Sequence, residues 1–211
     1  MKELVYMIAI MIVAITNSEV NIEEIVKKPS IQQEEKVELG AFFAFYDGTK
    51  FYYYEKDQKA FDIVIDMLRE LPENVKIGVA EVHFEGNNGN IAGTTSGTTI
   101  TLYDFLSYDE EIQRHILYHE VGHTFGNVLW SENLIDIDYS EYAEAVKKDK
   151  NYLSDYSKGK IKEENNYSED FADGFSEYFR NYKSFKRKHK NRFEYLEKFI
   201  KEESNNGKRS I

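Results

Sequence analysis

Two of the chain's five histidines stand four apart in HEVGH, His119 to His123, with Glu120 between them. On a helix, residues four apart share a face and lie about 6 Å apart along the axis, so both imidazoles can aim a ring nitrogen at one ion. Zinc suits such a pair, because it takes histidine nitrogens at about 2.0–2.1 Å and tolerates ligands from successive turns. Glu120 is turned roughly 100° around the axis from His119, which places it beside the metal without forcing it to bind. That is the place for a general base acting on water activated by the ion. The competing account, a core helix with two hydrogen-bonded histidines, must set His, Glu and His into an apolar stretch with no partner for their charge.

Two histidines are half a site. The extended pattern HExxHxxGxxH finds its glycine at Gly126, but its last position is Leu129, and no methionine follows Met67 to form the turn that accompanies that pattern. His115 precedes His119 by four but lies about 12 Å along the axis from His123, too far to share the ion, and is expected at the surface or behind the ligands. A carboxylate on a separate helix is the remaining common solution. SEDFADGFSEYF, Ser168 to Phe179, carries an apolar stripe of Phe171, Phe175, Tyr178 and Phe179, with Glu169 and Asp173 four apart on a different stripe. One of these carboxylates can bind the metal, and the other can accept the free ring N–H of a ligating histidine.

The elements that must position these residues follow from periodicity. LGAFFAFYDG and KFYYYEKD predict an aromatic hairpin around Asp47-Gly48. QKAFDIVIDMLREL predicts an amphipathic helix through Phe61, Val64, Ile65 and Leu68 that stops before Pro72. VKIGVAEVHF, Val75 to Phe84, reads as a strand, EGNNGNIAGTTSG as a loop, and Thr98 to about Tyr103 as a second strand. Asp109, Glu110 and Glu111 form the acidic first turn of the helix that carries HEVGH. After Trp130 every segment reads as helix or loop. The fold expected is therefore α+β: a small mixed sheet with helices, then a helical C-terminal lobe, with the HEVGH helix at the junction.

Composition narrows the function. The 211 residues hold 16 Tyr and 14 Phe, enough large anchors for one compact unit, and no cysteine, so disulfides, thiolate metal sites and a cysteine nucleophile are excluded. A net charge of −11 argues against nucleic acid or an anionic membrane surface as the main partner. Lys2 followed by the apolar run Leu4 to Ile15 and then polar TNSEVN predicts a secretory signal peptide over residues 1–18. Twelve apolar residues in a helix span about 18 Å, short of the roughly 30 Å hydrocarbon layer, so an uncleaved anchor is the lesser alternative. Residues 19–37 read as a linker or short helix, 38–203 as the folded domain with lobes at 38–130 and 131–203, and 204–211 as a polar tail. His83 is expected to be a satisfied strand residue and His189 an exposed one. KSFKRKHKNR, Lys183 to Arg192, reads as a solvated basic helix end or loop.

HEVGH together with EDFADGF, Glu169 to Phe175, resembles the zinc endopeptidases typified by the catalytic domain of anthrax lethal factor and by secreted Pro-Pro endopeptidases, whose members read roughly E-x-F-A-E-x-F at the second motif. The resemblance covers about residues 93–199. It implies a zincin-like fold of the gluzincin kind and one Zn2+ held by His119, His123 and Glu169, with Asp173, an Asp in place of the usual Glu, behind a histidine. It implies Glu120 as the general base. GTTITLY resembles the family's edge strand, which pairs with an extended substrate. The family also sets a tyrosine ahead of the glutamate to hydrogen-bond the developing oxyanion; Tyr156 is the favoured match, Tyr152 the second, and Tyr167 also stands in that stretch.

The expectation is a secreted, monomeric zinc metalloendopeptidase acting on an extended peptide or protein, without nucleic acid and without stable membrane insertion once the signal is cleaved. The alternative is a zinc-binding, catalytically weak toxin-type or protein-binding module on the same fold.

Overall fold

A computed structural model describes the backbone of residues 34–37, 41–46, 49–54, 57–136 and 139–206, and side chains for 49–51, 57–136 and 139–201. The signal-peptide expectation lies outside the described residues. Among the described residues, no helix is long and apolar enough to cross a membrane.

The described residues are mixed α+β, and most of them are helical. Strands β1 (Glu34–Val37), β2 (Ala41–Tyr46), β3 (Thr49–Tyr54), β4 (Glu81–Glu85), β5 (Gly93–Ser96) and β6 (Thr99–Tyr103) form one sheet in the order β1-β2-β3-β4-β6-β5. The aromatic hairpin is present as β2 against β3, with Tyr46 opposite Thr49. β3, β4 and β6 run parallel, whereas β5 turns back antiparallel to β6 and forms one edge. Alternation explains the middle of the sheet: Val82, Phe84, Ile100 and Leu102 point into the core from β4 and β6.

Helix α1 (Gln58–Arg69) buries Phe61, Val64, Ile65 and Leu68 as its pattern predicts, and Phe61 meets Phe51 of β3 edge-on, ring centroids 5.2 Å apart. Helix α2 (Glu73–Lys76) follows, then α3 (Glu110–Ser131), α4 (Ser140–Asp149), α5 (Asp155–Glu164), α6 (Ser168–Arg180), α7 (Tyr182–Lys188) and α8 (Lys190–Asn206). Asp109 caps α3 by accepting from the Ile112 amide at 2.9 Å, and Glu110 and Glu111 sit where the helix dipole favours negative charge.

Several expectations need correction. Strand β1 lies in the stretch read as a linker or short helix, and α8 runs to Asn206, into the stretch read as tail. Val75 belongs to α2, and the strand starts only at Glu81, because Pro72 opens a short helical turn ahead of it. GTTITLY is β6, an inner strand; the edge is β5, in the Gly/Asn/Thr stretch read as a loop. Residues 155–164, left as helix or loop by the sequence, are a helix, capped reciprocally by Ser154 and Ser157. Arg192, assigned to a solvated run, is 0% exposed.

Arg192 has a structural task. Its guanidinium grips Asp170 of α6 with two nitrogens, at 2.6 and 3.2 Å, and donates to the Asn151 main-chain oxygen at 2.6 Å. Asp149 at the end of α4 accepts from the Arg192 amide at 3.1 Å, in the first turn of α8. The Tyr142 hydroxyl donates to the Asp170 main-chain oxygen at 2.9 Å. One buried ion pair thus fixes α4, α6 and α8 together. Arg192→Ala would strand a buried carboxylate, and we expect it to lower stability by about 3–5 kcal/mol. Urea unfolding should show this as a lower midpoint with an unchanged slope.

Candidate metal centre

The centre forms where α3 crosses α6. Gly122, between the two histidines, permits the approach: a Cβ there would lie 3.0 Å from Ala172 Cα and 3.0 Å from Phe175 Cβ. Phe125 packs on Phe175 beside it, centroids 5.5 Å apart. This contact brings Glu169, in the first turn of α6, over the face of α3 that carries His119 and His123.

Three donor atoms then converge. His119 Nε2 lies 3.2 Å from His123 Nε2 and 3.2 Å from Glu169 Oε2, and His123 Nε2 lies 3.4 Å from the same oxygen. Ligands at about 2.05 Å on the corners of a tetrahedron stand about 3.3 Å apart, so this triangle is the size that one zinc ion requires. All three residues line the cleft.

Electrostatics at this point favour a cation. Burial opposes charge on His119, but hydrogen bonds to Asp173 and Glu169 push its pKa up to about 10. Burial likewise acts to raise Glu169, yet its bonds to His119 and His123 hold the carboxyl far below the usual range. Without metal the proton on His119 supplies the positive charge these carboxylates demand.

Asp173 stands behind the ligands. Its Oδ1 is 3.0 Å from His119 Nδ1, which fixes the ring with Nε2 facing the other donors, and its Oδ2 accepts from Ser154 Oγ at 2.6 Å. The shorter Asp side chain reaches because α3 and α6 are so close. His115, His119 and Asp173 also lie near enough to form a second potential group. However, His115 Nδ1 faces Ser176 Oγ at 3.0 Å and the Arg180 guanidinium at 3.1 Å, a poor setting for a second cation. Burial, with the charges of His119 and Arg180, lowers the His115 pKa against the opposing pull of Asp173.

Glu120 lies under the edge strand. Thr95 of β5 donates its hydroxyl to Glu120 Oε2 at 2.7 Å, and a Cβ on Gly93 would stand 2.7 Å from Glu120 Oε1. Gly93 therefore gives the carboxylate its room. Neither residue was identified from the sequence, although a glycine opening a Thr-rich strand signals a close approach.

These groups line a cleft of about 1010 Å³ together with Ile91, Trp130, Tyr139, Tyr156 and Tyr167. Of the expected tyrosines, Tyr156 is brought to the cleft from the first turn of α5, 61% exposed, and Tyr167 lines it from just before α6. Tyr152 is not among the lining residues and carries Lys162 over its ring at 5.9 Å. Burial first, and then the Glu169 charge, raise the Tyr156 pKa, which keeps its hydroxyl protonated as a donor. Tyr139 was missed by sequence reasoning. It is buried, its hydroxyl fills the space above Gly126, and burial with the Glu169 charge raises its pKa to about 12. Helix α3 continues past Gly126 to Ser131, and Leu129 turns into the core, so the extended histidine pattern fails in space as well as in sequence.

The other histidines stand apart. His83 on β4 is 3.3 Å from Glu81, and His189 is half-buried with Nδ1 2.9 Å from Asn151 Oδ1. No protein-family model matches the chain, and no curated protein matches it.

Two substitutions test the donor set by competition with a chromogenic chelator. Asp173→Ala should weaken zinc binding by about 10–100-fold, the usual cost of losing a carboxylate behind a ligating histidine. Glu169→Ala, which removes a donor outright, should weaken it further.

Proposed function

We propose that this protein is a secreted zinc-dependent endopeptidase, with one Zn2+ held by His119, His123 and Glu169. The observation that carries the reading is the three-donor triangle, 3.2 to 3.4 Å on each side, with Glu120 next to it under an open strand edge. The convergence of these residues, with Asp173 behind His119, also supports the resemblance to lethal factor-like and Pro-Pro endopeptidases and to the zincin-like fold. The predicted signal peptide and the absence of cysteine favour secretion.

When bound, the ion supplies Lewis acidity, which acidifies water and polarises a carbonyl. The remaining work falls to the chain. The outer edge of β5 offers main-chain groups to which an extended peptide adds as a further strand, laying its scissile bond over the α3 histidines. Glu120 accepts the proton of the attacking water and returns it to the leaving amine, with Thr95 holding one of its carboxylate oxygens. Tyr156 donates its hydroxyl to the oxygen of the tetrahedral intermediate. Its exposure favours a swing onto the substrate, and the same exposure is the one feature that supports the second reading, a zinc-holding module with weak turnover.

Glu120→Gln keeps the size of the side chain and removes the base. Zinc content should stay at one ion per chain while peptide hydrolysis disappears, and undiminished cleavage would give the base role to another residue. Tyr156→Phe should lower kcat by about 100-fold or more with KM little changed, if it supplies an oxyanion hydrogen bond. A chelator should abolish wild-type cleavage, and added zinc should restore it.

A further inference from the structure

The cleft has a direction and an apolar end. Trp130 is the only tryptophan in the sequence, lies on α3 and is 50% exposed where it lines the cleft. It follows His123 by seven residues and His119 by eleven. At 100° per residue it therefore falls within about 20° of the stripe that carries both histidines, roughly 10 Å further along the axis. An exposed tryptophan on the metal-facing stripe of an otherwise well-packed helix presents a large, rigid apolar surface with little entropy to lose.

The strand above fixes which end of a peptide reaches it. Gly93 and Thr95 sit over Glu120, whereas the Gly97 main-chain oxygen accepts from Asn127 Nδ2 at 2.8 Å. β5 therefore runs in the same sense as α3, toward Trp130. A peptide added antiparallel to β5, the stronger pairing, runs the opposite way and carries its N-terminal part toward Trp130. At about 3.3 Å per extended residue, 10 Å is two to three residues upstream of the scissile bond, since helical side chains lean back toward the N-terminus. Among the described residues that line the cleft there are four carboxylates, Glu120, Glu164, Glu169 and Asp173, and no Lys or Arg.

On the endopeptidase reading, we propose that Trp130 is a specificity-determining residue that selects a large apolar side chain two to three positions upstream of the cleaved bond.

The test uses zinc-loaded full-length protein and peptides that vary only at those two positions. Leu or Phe should raise kcat/KM by about tenfold or more over Gly, and Asp should lower it. Trp130→Ala should bring the Leu-to-Gly ratio toward one, while Trp130→Phe keeps most of it. Because the chain has a single tryptophan, emission of the Glu120→Gln protein reports occupancy directly: an uncleaved Phe-containing peptide should shift it to shorter wavelength, and a Gly peptide should not. Cleavage without upstream preference, or binding shown by anisotropy of a labelled peptide without any emission change, overturns the proposal. An emission shift with the Phe peptide but no cleavage by wild type supports apolar recognition at Trp130 and removes only the endopeptidase reading.

Discussion

Everything at the centre depends on how closely α3 approaches α6. Gly122 on one helix and Ala172 on the other leave no side chain thick enough to hold them apart. At this separation an i, i+4 histidine pair on α3 and an i, i+4 carboxylate pair on α6 face each other across the seam, and four side chains meet with little rotameric freedom to lose. A larger residue at 122 would do more than loosen the core, since it would widen the donor triangle that sits on either side of it.

The seam holds because α6 is itself pinned. Successive residues of its first turn serve opposite purposes: Glu169 faces the cleft, and Asp170 faces inward to Arg192, Tyr142 and the Leu153 amide. A buried ion pair is weak evidence for net stability. Its value here is positional, because the bidentate grip fixes the rotation of α6, and Glu169 is oriented through the same backbone. The lysines of the basic run and Arg187 are exposed, whereas Phe185 and Arg192 of the same run are buried.

Much of this was legible in the sequence where local pattern and final environment agree. The periodicity of α1, α3 and α6 corresponds to faces that are in fact buried, the aromatic hairpin is present as β2 paired with β3, and Glu169 and Asp173 both face His119. The failures share a cause. β5 contains only Gly, Thr and Ser, so no apolar alternation marks it as a strand; pairing with β6 makes it one. Helix α5 has a single large aliphatic residue, Ile161, and an internal Gly159, and it owes its start to Ser154 and Ser157. Arg192 resembles its basic neighbours because its acidic partners lie 22 and 43 residues away. Tyr139 and Trp130 were passed over because an aromatic that packs and an aromatic that lines a cleft look alike in sequence.

The two oxygens of Asp173 serve different masters. One holds the imidazole of His119, and the other holds Ser154, which caps the helix that presents Tyr156 two residues later. Charge on the histidine, whether from a proton or from an ion on its far nitrogen, strengthens the first bond and redistributes electron density on the shared carboxylate. The carboxylate shared in this way ties the orientation of the His119 ring to the start of the helix that carries Tyr156, so the two ends of the cleft wall are set by one side chain.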